Sequence, residues 1–179
     1  MHALLGDVYQ QRKMFREAEN EYSKMLALEP DNVAGLAGLT AAYLHDGHFE
    51  QARASAEKAL ARDPEDSEFN LLMGEVLVAQ HDYAGAERYL KKSLHARPDL
   101  LPRAHALLGR VYARTGRSKE AITELTQGVA SDEDGSVYYQ LARCYQKSGD
   151  AKAAAAAFQK SDQIRAKRNA LAEEPLEEK

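Results

Sequence analysis

The sequence predicts an all-α solenoid of about five helical hairpins, because residues of matching character recur with one period through the chain. One position is aromatic or leucine at intervals of 33 to 35 residues: Tyr9, Tyr43, Leu77, Tyr112 and Tyr145. A second position is always alanine: Ala18, Ala52, Ala86, Ala121 and Ala154. A proline closes the first three repeats: Pro30, Pro64 and Pro98. Such a period marks a repeat architecture in which each unit buries its apolar face only against its neighbours.

The repeated motif resembles that of the tetratricopeptide repeat family. It reads Leu5-Gly6-Asp7-Val8-Tyr9 on the first helix of a hairpin, Ala18 and Tyr22 on the second helix, and Pro30 at the exit. The early tryptophan of the family is missing from all five repeats. The resemblance extends from about residue 3 to residue 162, and it implies a right-handed superhelix whose first helices line the inner face.

We predict one tetratricopeptide-repeat domain over residues 1–172, followed by an acidic tail at 173–179. Its units are placed at about 1–32, 33–66, 67–101, 102–134 and 135–172. Capping residues and turn glycines place ten helices, at 3–12, 16–29, 33–46, 50–62, 67–80, 84–96, 102–115, 118–130, 136–148 and 151 to about 170. Lys13 and His81 replace the turn glycine in the first and third repeats, where we expect slightly strained or differently shaped turns. The last helix is expected to overrun the repeat and to cover the open end of the stack through Ile164 and Leu171.

Composition and motifs argue against several classes of protein. With 44% hydrophobic and 29% charged residues, the chain can bury a continuous core. It has no apolar run of membrane-spanning length and does not begin like a signal peptide, so the sequence favours a cytoplasmic protein without membrane contact. Cys144, the only cysteine, is expected to be a buried and inert thiol. The six histidines share no metal-ligand spacing, and phosphate-loop and nucleophile motifs are absent, so we expect no enzyme activity, no metal and no cofactor.

The predicted inner face carries two columns whose charge changes along the chain. The column two residues before the Tyr9 column is Asp7, Ala41, Glu75, Arg110 and Arg143. The column two residues after it is Gln11, His45, Ala79, Arg114 and Lys147. Both columns become basic toward the C-terminal repeats. The predicted peptide-binding groove comprises the members of these columns other than Ala79, together with Leu44, Leu71, Val78, Arg103 and Tyr139.

These features predict a non-catalytic scaffold that holds a segment of another protein, acidic toward the C-terminal end of the groove. Like charges on one wall repel one another, and an anionic ligand would relieve that repulsion. Charge on a solvated helix face is also common, so a basic face without a ligand stays an open alternative. The net charge of −4 argues against nucleic acid as the partner. The sequence favours a monomer, and it leaves open an oligomerisation module acting through the C-terminal helix or a regulatory part of a longer protein.

Overall fold

Helices form all the regular structure in the residues that the computed structural model describes, which are 1–95 and 98–173, with side chains to residue 170. The first three repeats form one compact unit, Met1–Leu100, of three helical hairpins. Its helices are α1 (His2–Gln11), α2 (Phe15–Leu28), α3 (Val33–Asp46), α4 (Phe49–Leu60), α5 (Ser67–Ala79) and α6 (Tyr83–Ser93). Each helix packs against the next one in the chain.

The fourth and fifth repeats form a second compact unit that begins at Leu101. Its helices are α7 (Leu101–Arg114), α8 (Ser118–Gly128), α9 (Ser136–Ser148) and α10 (Ala151–Glu173), with a 3-10 turn at Val129–Ser131. The predicted all-α repeat fold is therefore confirmed, and the predicted helix ends agree with these bounds to within about three residues. The division of the chain into a single domain stays a prediction, and residues 174–179 of the acidic tail lie outside the described residues.

The turn inside each hairpin uses one left-handed residue at the same repeat position. In the second, fourth and fifth repeats this residue is glycine, with φ near 83° at Gly47, 81° at Gly116 and 84° at Gly149. Lys13 and His81 adopt the same conformation, with φ of 58° and 63°. A side chain makes this conformation less favourable by about 1–2 kcal/mol. The predicted strain at these two turns is thus confirmed, and the turn keeps its left-handed shape.

Carboxylate and amide oxygens cap the starts of four helices. The Asn32 side chain accepts a hydrogen bond from the Gly35 N–H at 3.0 Å, and Asp66 accepts one from the Phe69 N–H at the same distance. Asp82 and Asp150 repeat the arrangement at α6 and α10, each with an oxygen 2.9 Å from a backbone nitrogen. Because a cap satisfies an otherwise open amide, Asn32 and Asp66 help to fix the start of a hairpin, and Asp82 and Asp150 the start of its second helix.

The repeated alanine lies where the two helices of each hairpin meet. Its exposed fraction is 0% in the first four repeats and 3% at Ala154. The first helix also needs a small residue at this contact. A Cβ on Gly74 would lie 2.5 Å from Leu90 Cδ2, and one on Gly109 would lie 2.6 Å from Leu125 Cγ. Close approach of the paired helices therefore depends on small residues from both sides.

Replacing Ala86 with leucine is expected to destabilise the first unit. The alanine is fully buried between α5 and α6, so the added carbons must displace packed neighbours at a cost of about 1–3 kcal/mol. Urea unfolding followed by circular dichroism measures this loss. Ala84→Leu places the same side chain at an exposed position of α6 and should change the free energy of unfolding by less than about 0.5 kcal/mol. An Ala86→Leu variant as stable as the parent would show that this helix register is wrong.

Candidate functional site

All the predicted groove residues lie on the first helices of their hairpins. The first unit contributes Asp7, Gln11, Ala41, Leu44, His45, Leu71, Glu75 and Val78. The second unit contributes Arg103, Arg110, Arg114, Tyr139, Arg143 and Lys147. We describe the two sets separately, because each belongs to its own compact unit.

The apolar part of the predicted groove is mostly interior. Leu71 is 1% exposed and Val78 is 8% exposed, so neither side chain offers a ligand a useful contact area. The expectation that a peptide packs over these two residues is therefore wrong. Leu44 and Ala41 on α3 are only partly buried and remain accessible. α5 is buried on more than one side, with nine buried residues along its thirteen, and this explains the difference.

Asp7 has a structural partner that the sequence did not reveal. The hydroxyl of Tyr22 donates a hydrogen bond to Asp7 Oδ1 at 2.6 Å, and Gln10 Oε1 lies 3.1 Å from the same hydroxyl oxygen. The tyrosine is 1% exposed, and a Cβ on Gly38 would lie only 2.3 Å from its ring. Burial and the Asp7 carboxylate raise the pKa of the Tyr22 phenol far above its usual range. Asp7 thus helps to hold α2 between α1 and α3.

His45 and Gln11 differ in their surroundings. The His45 ring stacks on Phe15, with ring centroids 5.1 Å apart and an interplanar angle of 19°. This contact joins α3 to the start of α2 and uses one face of the imidazole. Gln11 is exposed at the end of α1, and Glu75 is partly buried on α5. The exposed predicted positions of the first unit, Asp7, Gln11 and His45, are therefore mixed in character.

The second unit brings the predicted basic residues onto two neighbouring helices. Helices α7 and α9 contact each other, and Arg114, Arg143 and Lys147 are exposed on them. Arg103 is also exposed, at the first turns of α7. Arg110 is partly buried, and its Nε is shielded from solvent without an acceptor in the described structure. We call Arg110, Arg114, Arg143 and Lys147 the basic face.

Three members of the basic face have no ion-pair partner among the described residues. No carboxylate within 4.0 Å faces Arg114, Arg143 or Lys147 there. Arg117 of the same unit, by contrast, binds Glu120 and lies over the Tyr112 ring at 4.0 Å. The basic face therefore gathers exposed cations without a carboxylate partner onto two neighbouring first helices.

Tyr139 belongs to the packing of the last hairpin. Its ring meets Phe158 of α10 edge to face at a centroid distance of 5.6 Å. The Arg165 guanidinium lies 5.2 Å from the same ring, close enough for a cation–π contact. Tyr139 is still 39% exposed, so one edge of the ring remains accessible beside Arg143.

One group of metal-ligand side chains was not recognised from the sequence. Glu19, Asp46 and His48 place one donor atom each within 4.8 Å of one another, and the Glu19 oxygen lies 3.2 Å from His48 Nδ1. Glu19 comes from the preceding repeat, so spacing along one helix did not reveal it. The Arg16 guanidinium lies 3.4 Å from the Asp46 carboxylate and already supplies positive charge there. These contacts form an ion-pair network that ties the first repeat to the second.

Cys144 is buried on α9, as predicted, with an exposed fraction of 2%. Burial raises the pKa of its thiol. A raised pKa lowers the thiolate fraction at neutral pH, and burial blocks access of reagents. The residue therefore serves the packing of α9 against its neighbours.

Two histidine–glutamate pairs occupy equivalent positions in the first and fourth repeats. His2 Nδ1 lies 2.7 Å from Glu21, and His105 Nδ1 lies 2.7 Å from Glu124. Both pairs join residues 19 apart in sequence, so the repeat alignment contains the signal. The hydrogen bond from His2 and that from Lys24 lower the pKa of the Glu21 carboxyl.

Because the pKa of Glu21 is lowered in the folded protein, we expect its contribution to the free energy of unfolding to depend on pH. A carboxyl whose pKa is lower in the folded state stabilises the fold above its unfolded pKa, near 4.3, and loses that contribution as the pH falls through the folded value. Glu21→Gln should therefore melt at a lower temperature than the parent at neutral pH, and the difference should shrink below about pH 4. In a background of His2→Ala and Lys24→Ala the same substitution should lose most of this pH dependence. A difference that stays constant from pH 7 to pH 3 would contradict the assignment.

The described helices include none that is long and apolar enough to cross a membrane.

The chain matches known tetratricopeptide proteins in sequence pattern and in fold. A family model described as tetratricopeptide repeat matches residues 9–76 and 77–141, and a second one matches residues 135–168. TTC0263, described as a thermophilic TPR protein in Thermus thermophilus, superposes with a TM-score of 0.78 at 21% identity, covering 96% of this chain and 93% of its own. PilF of Pseudomonas aeruginosa gives a TM-score of 0.78 at 22% identity, covering 91% of this chain and 74% of its own. A MamA crystal structure gives 0.71 at 22% identity, with 92% and 96% covered. No curated protein matches the chain by sequence. Because the repeat model spans most of its residues, this chain belongs to the tetratricopeptide repeat family.

Proposed function

We propose that this protein is a non-catalytic scaffold that binds an acidic segment of a partner protein on the basic face of its second unit. Membership of a family of protein-interaction scaffolds supports the general role. The chemistry of the ligand rests on the basic face itself, and one observation carries it. Arg114, Arg143 and Lys147 are exposed on adjacent first helices and have no carboxylate partner among the described residues.

Electrostatics favours an anion at this surface. Like charges on neighbouring helices, about 8–10 Å apart, repel one another, and a bound carboxylate relieves part of that repulsion. The shielded Arg110 Nε adds an N–H that has lost water without gaining an acceptor among the described residues. A ligand oxygen that reaches it would remove the cost of leaving that donor unsatisfied.

The strength and selectivity of binding follow from the exposure of the face. Each solvent-exposed ion pair contributes about 0.2–1 kcal/mol, so charge alone gives weak binding. The Tyr139 ring beside Arg143 offers apolar area for a neighbouring side chain of the segment. We therefore expect an affinity in the micromolar range, about −8 kcal/mol, with charge setting the orientation and the association rate.

A pair of synthetic peptides tests the proposal. A fluorescent peptide with alternating glutamate and small apolar residues should bind at low salt, as measured by anisotropy, and should weaken as salt rises. Its counterpart with glutamine in place of glutamate should bind much more weakly. If the two peptides bind equally well, the basic face is a solvated surface and the proposal fails.

The remaining sequence-based expectations stay predictions. These are the absence of nucleic-acid binding, the cytoplasmic location, the monomeric state and the lack of enzyme activity. The alternative of an oligomerisation module is supported by two other surfaces, one on α1 and one between α9 and α10.

A further inference from the structure

The first helix exposes an unusual amount of apolar surface. Met1, which immediately precedes α1, is 92% exposed, and Leu4, Leu5 and Val8 on one side of α1 are 72%, 41% and 43% exposed. We call these four residues the α1 face. In the described residues only four other large hydrophobic side chains are similarly exposed: Met14, Leu28, Val33 and Tyr139. Contiguous apolar surface of this kind marks an interaction site more often than scattered single residues do.

The same repeat positions are buried in later repeats of each unit. The positions of Met1, Leu5 and Val8 become Gly35, Leu39 and Ala42 on α3, Phe69, Met73 and Val76 on α5, and Val137, Leu141 and Cys144 on α9. All of these later residues are buried, and the side chains among them are at most 9% exposed. Each of these helices packs against the second helix of the preceding hairpin, namely α2, α4 or α8. The α1 face therefore has the form of a surface that normally receives a second helix.

The last hairpin exposes the complementary surface. A groove of about 450 Å³ lies between α9 and α10, lined by Gln146, Gly149, Ala151, Ala154, Ala155 and Phe158. Helix α10 overruns the repeat as predicted, but its side chains from residue 166 to residue 170 are exposed. The groove is open among the described residues, and Ile164, one of the two residues expected to cover this end, is partly buried. Leu171, which was part of that expectation, lies outside the residues with described side chains.

The equivalent groove in the first repeat shows what fits there. Ala18 and Tyr22, which correspond to Ala154 and Phe158, form one apolar cluster with Leu39, Ala42 and Tyr43 of α3. The α1 helix carries Leu5, Val8 and Tyr9 at the positions of those three α3 residues. Helix α1 therefore presents the residue types that pack into the equivalent groove of the first repeat.

We propose that two copies of this protein associate head to tail, with the α1 face of one copy in the α9–α10 groove of the other. The contact is heterologous, since each copy contributes a different surface, so it can be repeated by further copies. It continues the packing of one repeat on the next across a molecular boundary. It differs both from the monomer that the sequence favours and from a dimer through the C-terminal helix.

One pair of charges limits the strength of this contact. Arg16 and Asp46 lie 3.4 Å apart where the second repeat packs on the first. In the proposed contact their positions are taken by Lys152 of one copy and Arg12 of the other, which repel each other. We therefore expect weak, concentration-dependent association that a single charge reversal strengthens.

Sedimentation velocity of the full chain, from micromolar to near-millimolar concentration, tests the proposal. The parent should show an average mass that rises above 19.8 kDa with concentration. The double variant Leu4→Glu, Val8→Glu should stay at the monomer mass. Its matched control, Leu28→Glu with Val33→Glu, adds the same charge at residues that are 75% and 59% exposed elsewhere and should associate like the parent.

A groove variant and a mixture identify the two surfaces. Ala155→Lys fills the groove from an exposed helical position, so this variant alone should also remain monomeric. Mixed with the Leu4→Glu, Val8→Glu variant, it should form a one-to-one dimer, because each partner retains the surface that the other lacks. Self-association of Ala155→Lys alone would instead indicate a symmetric contact through α1 and would overturn the proposal.

Charge exchange provides a gain of function as the final test. Lys152→Glu should strengthen association about two- to tenfold, because a repulsive pair becomes an attractive one. Adding Arg12→Glu to it should restore repulsion and cancel the gain. A parent that is monomeric at every concentration, or a Lys152→Glu variant that associates no better than the parent, contradicts the head-to-tail contact.

Discussion

Replacing Arg143 and Lys147 with glutamate is expected to weaken the binding of an acidic segment strongly at low salt. Each substitution removes an attraction and adds a repulsion of similar size, so two reversals cost about 1–4 kcal/mol in all. That range corresponds to a loss of about five- to several-hundredfold in affinity. Both residues are exposed on α9, so the change should leave the fold intact. Arg110 is left in place because it is partly buried, and a carboxylate there would disturb packing.

The control for this loss is a variant with the same change in net charge elsewhere. Lys119→Glu with Lys160→Glu alters exposed residues on the second helices of the fourth and fifth repeats. It should lower the affinity only slightly, through the long-range field of the molecule. The difference in affinity between the two variants should become smaller as salt rises, because exposed charges are screened over about 8–10 Å at physiological ionic strength. Equal losses for both variants would mean that net charge alone, with no localised site, governs binding.

The sequence predicted the helix bounds closely because the same local signal can be compared at equivalent positions of five repeats. A single turn glycine is weak evidence, yet Gly47, Gly116 and Gly149 fall at one repeat position and all adopt the left-handed conformation. Their alignment with Lys13 and His81 extends the same turn to hairpins that lack glycine. Local signals that agree across five copies therefore fix hairpin boundaries that one copy would leave ambiguous.

The candidate site was less predictable because burial depends on neighbours from other helices. Leu71 is fully buried, whereas Tyr139, at the same repeat position on α9, is 39% exposed. The sequence pattern assigns both to the same side of a first helix, but packing around α5 encloses one of them. Asp7 shows the same limit, since its hydrogen bond comes from Tyr22, a residue on another helix. Periodicity shows which side of a helix a residue lies on. It does not show whether another helix buries that side.

The ends of the array illustrate a second limit of the repeat pattern. An alignment treats Leu5 and Leu39 as equivalent, yet they are 41% and 9% exposed. Only the presence or absence of a preceding helix separates them. Helix α2 covers this side of α3, and no described helix covers the same side of α1.

Replacing Gly128 with alanine is expected to destabilise the second unit strongly, although it introduces a better helix-forming residue. A Cβ at this position would lie 2.5 Å from the backbone nitrogen of Ala106 and 2.7 Å from its Cα. Flexible side-chain ends can move aside, but these atoms belong to the backbone of α7, so α7 and α8 must separate. Helix propensity alone predicts a gain of at most about 1 kcal/mol, the value for a helix interior, because Gly128 is the last residue of α8.

The two effects have opposite signs, so the measurement separates them. Overpacking typically costs about 1–3 kcal/mol, and a contact between backbones belongs at the upper end because relaxation must move a whole helix. We therefore expect a net loss of about 2 kcal/mol, which lowers the midpoint of urea unfolding by roughly 1 M. Adding Ala106→Gly should restore little of this loss, because the nitrogen and Cα of residue 106 remain in place. Full rescue by that second substitution would show that the side chain of Ala106, rather than the close backbone approach of α7 to α8, sets the limit at Gly128.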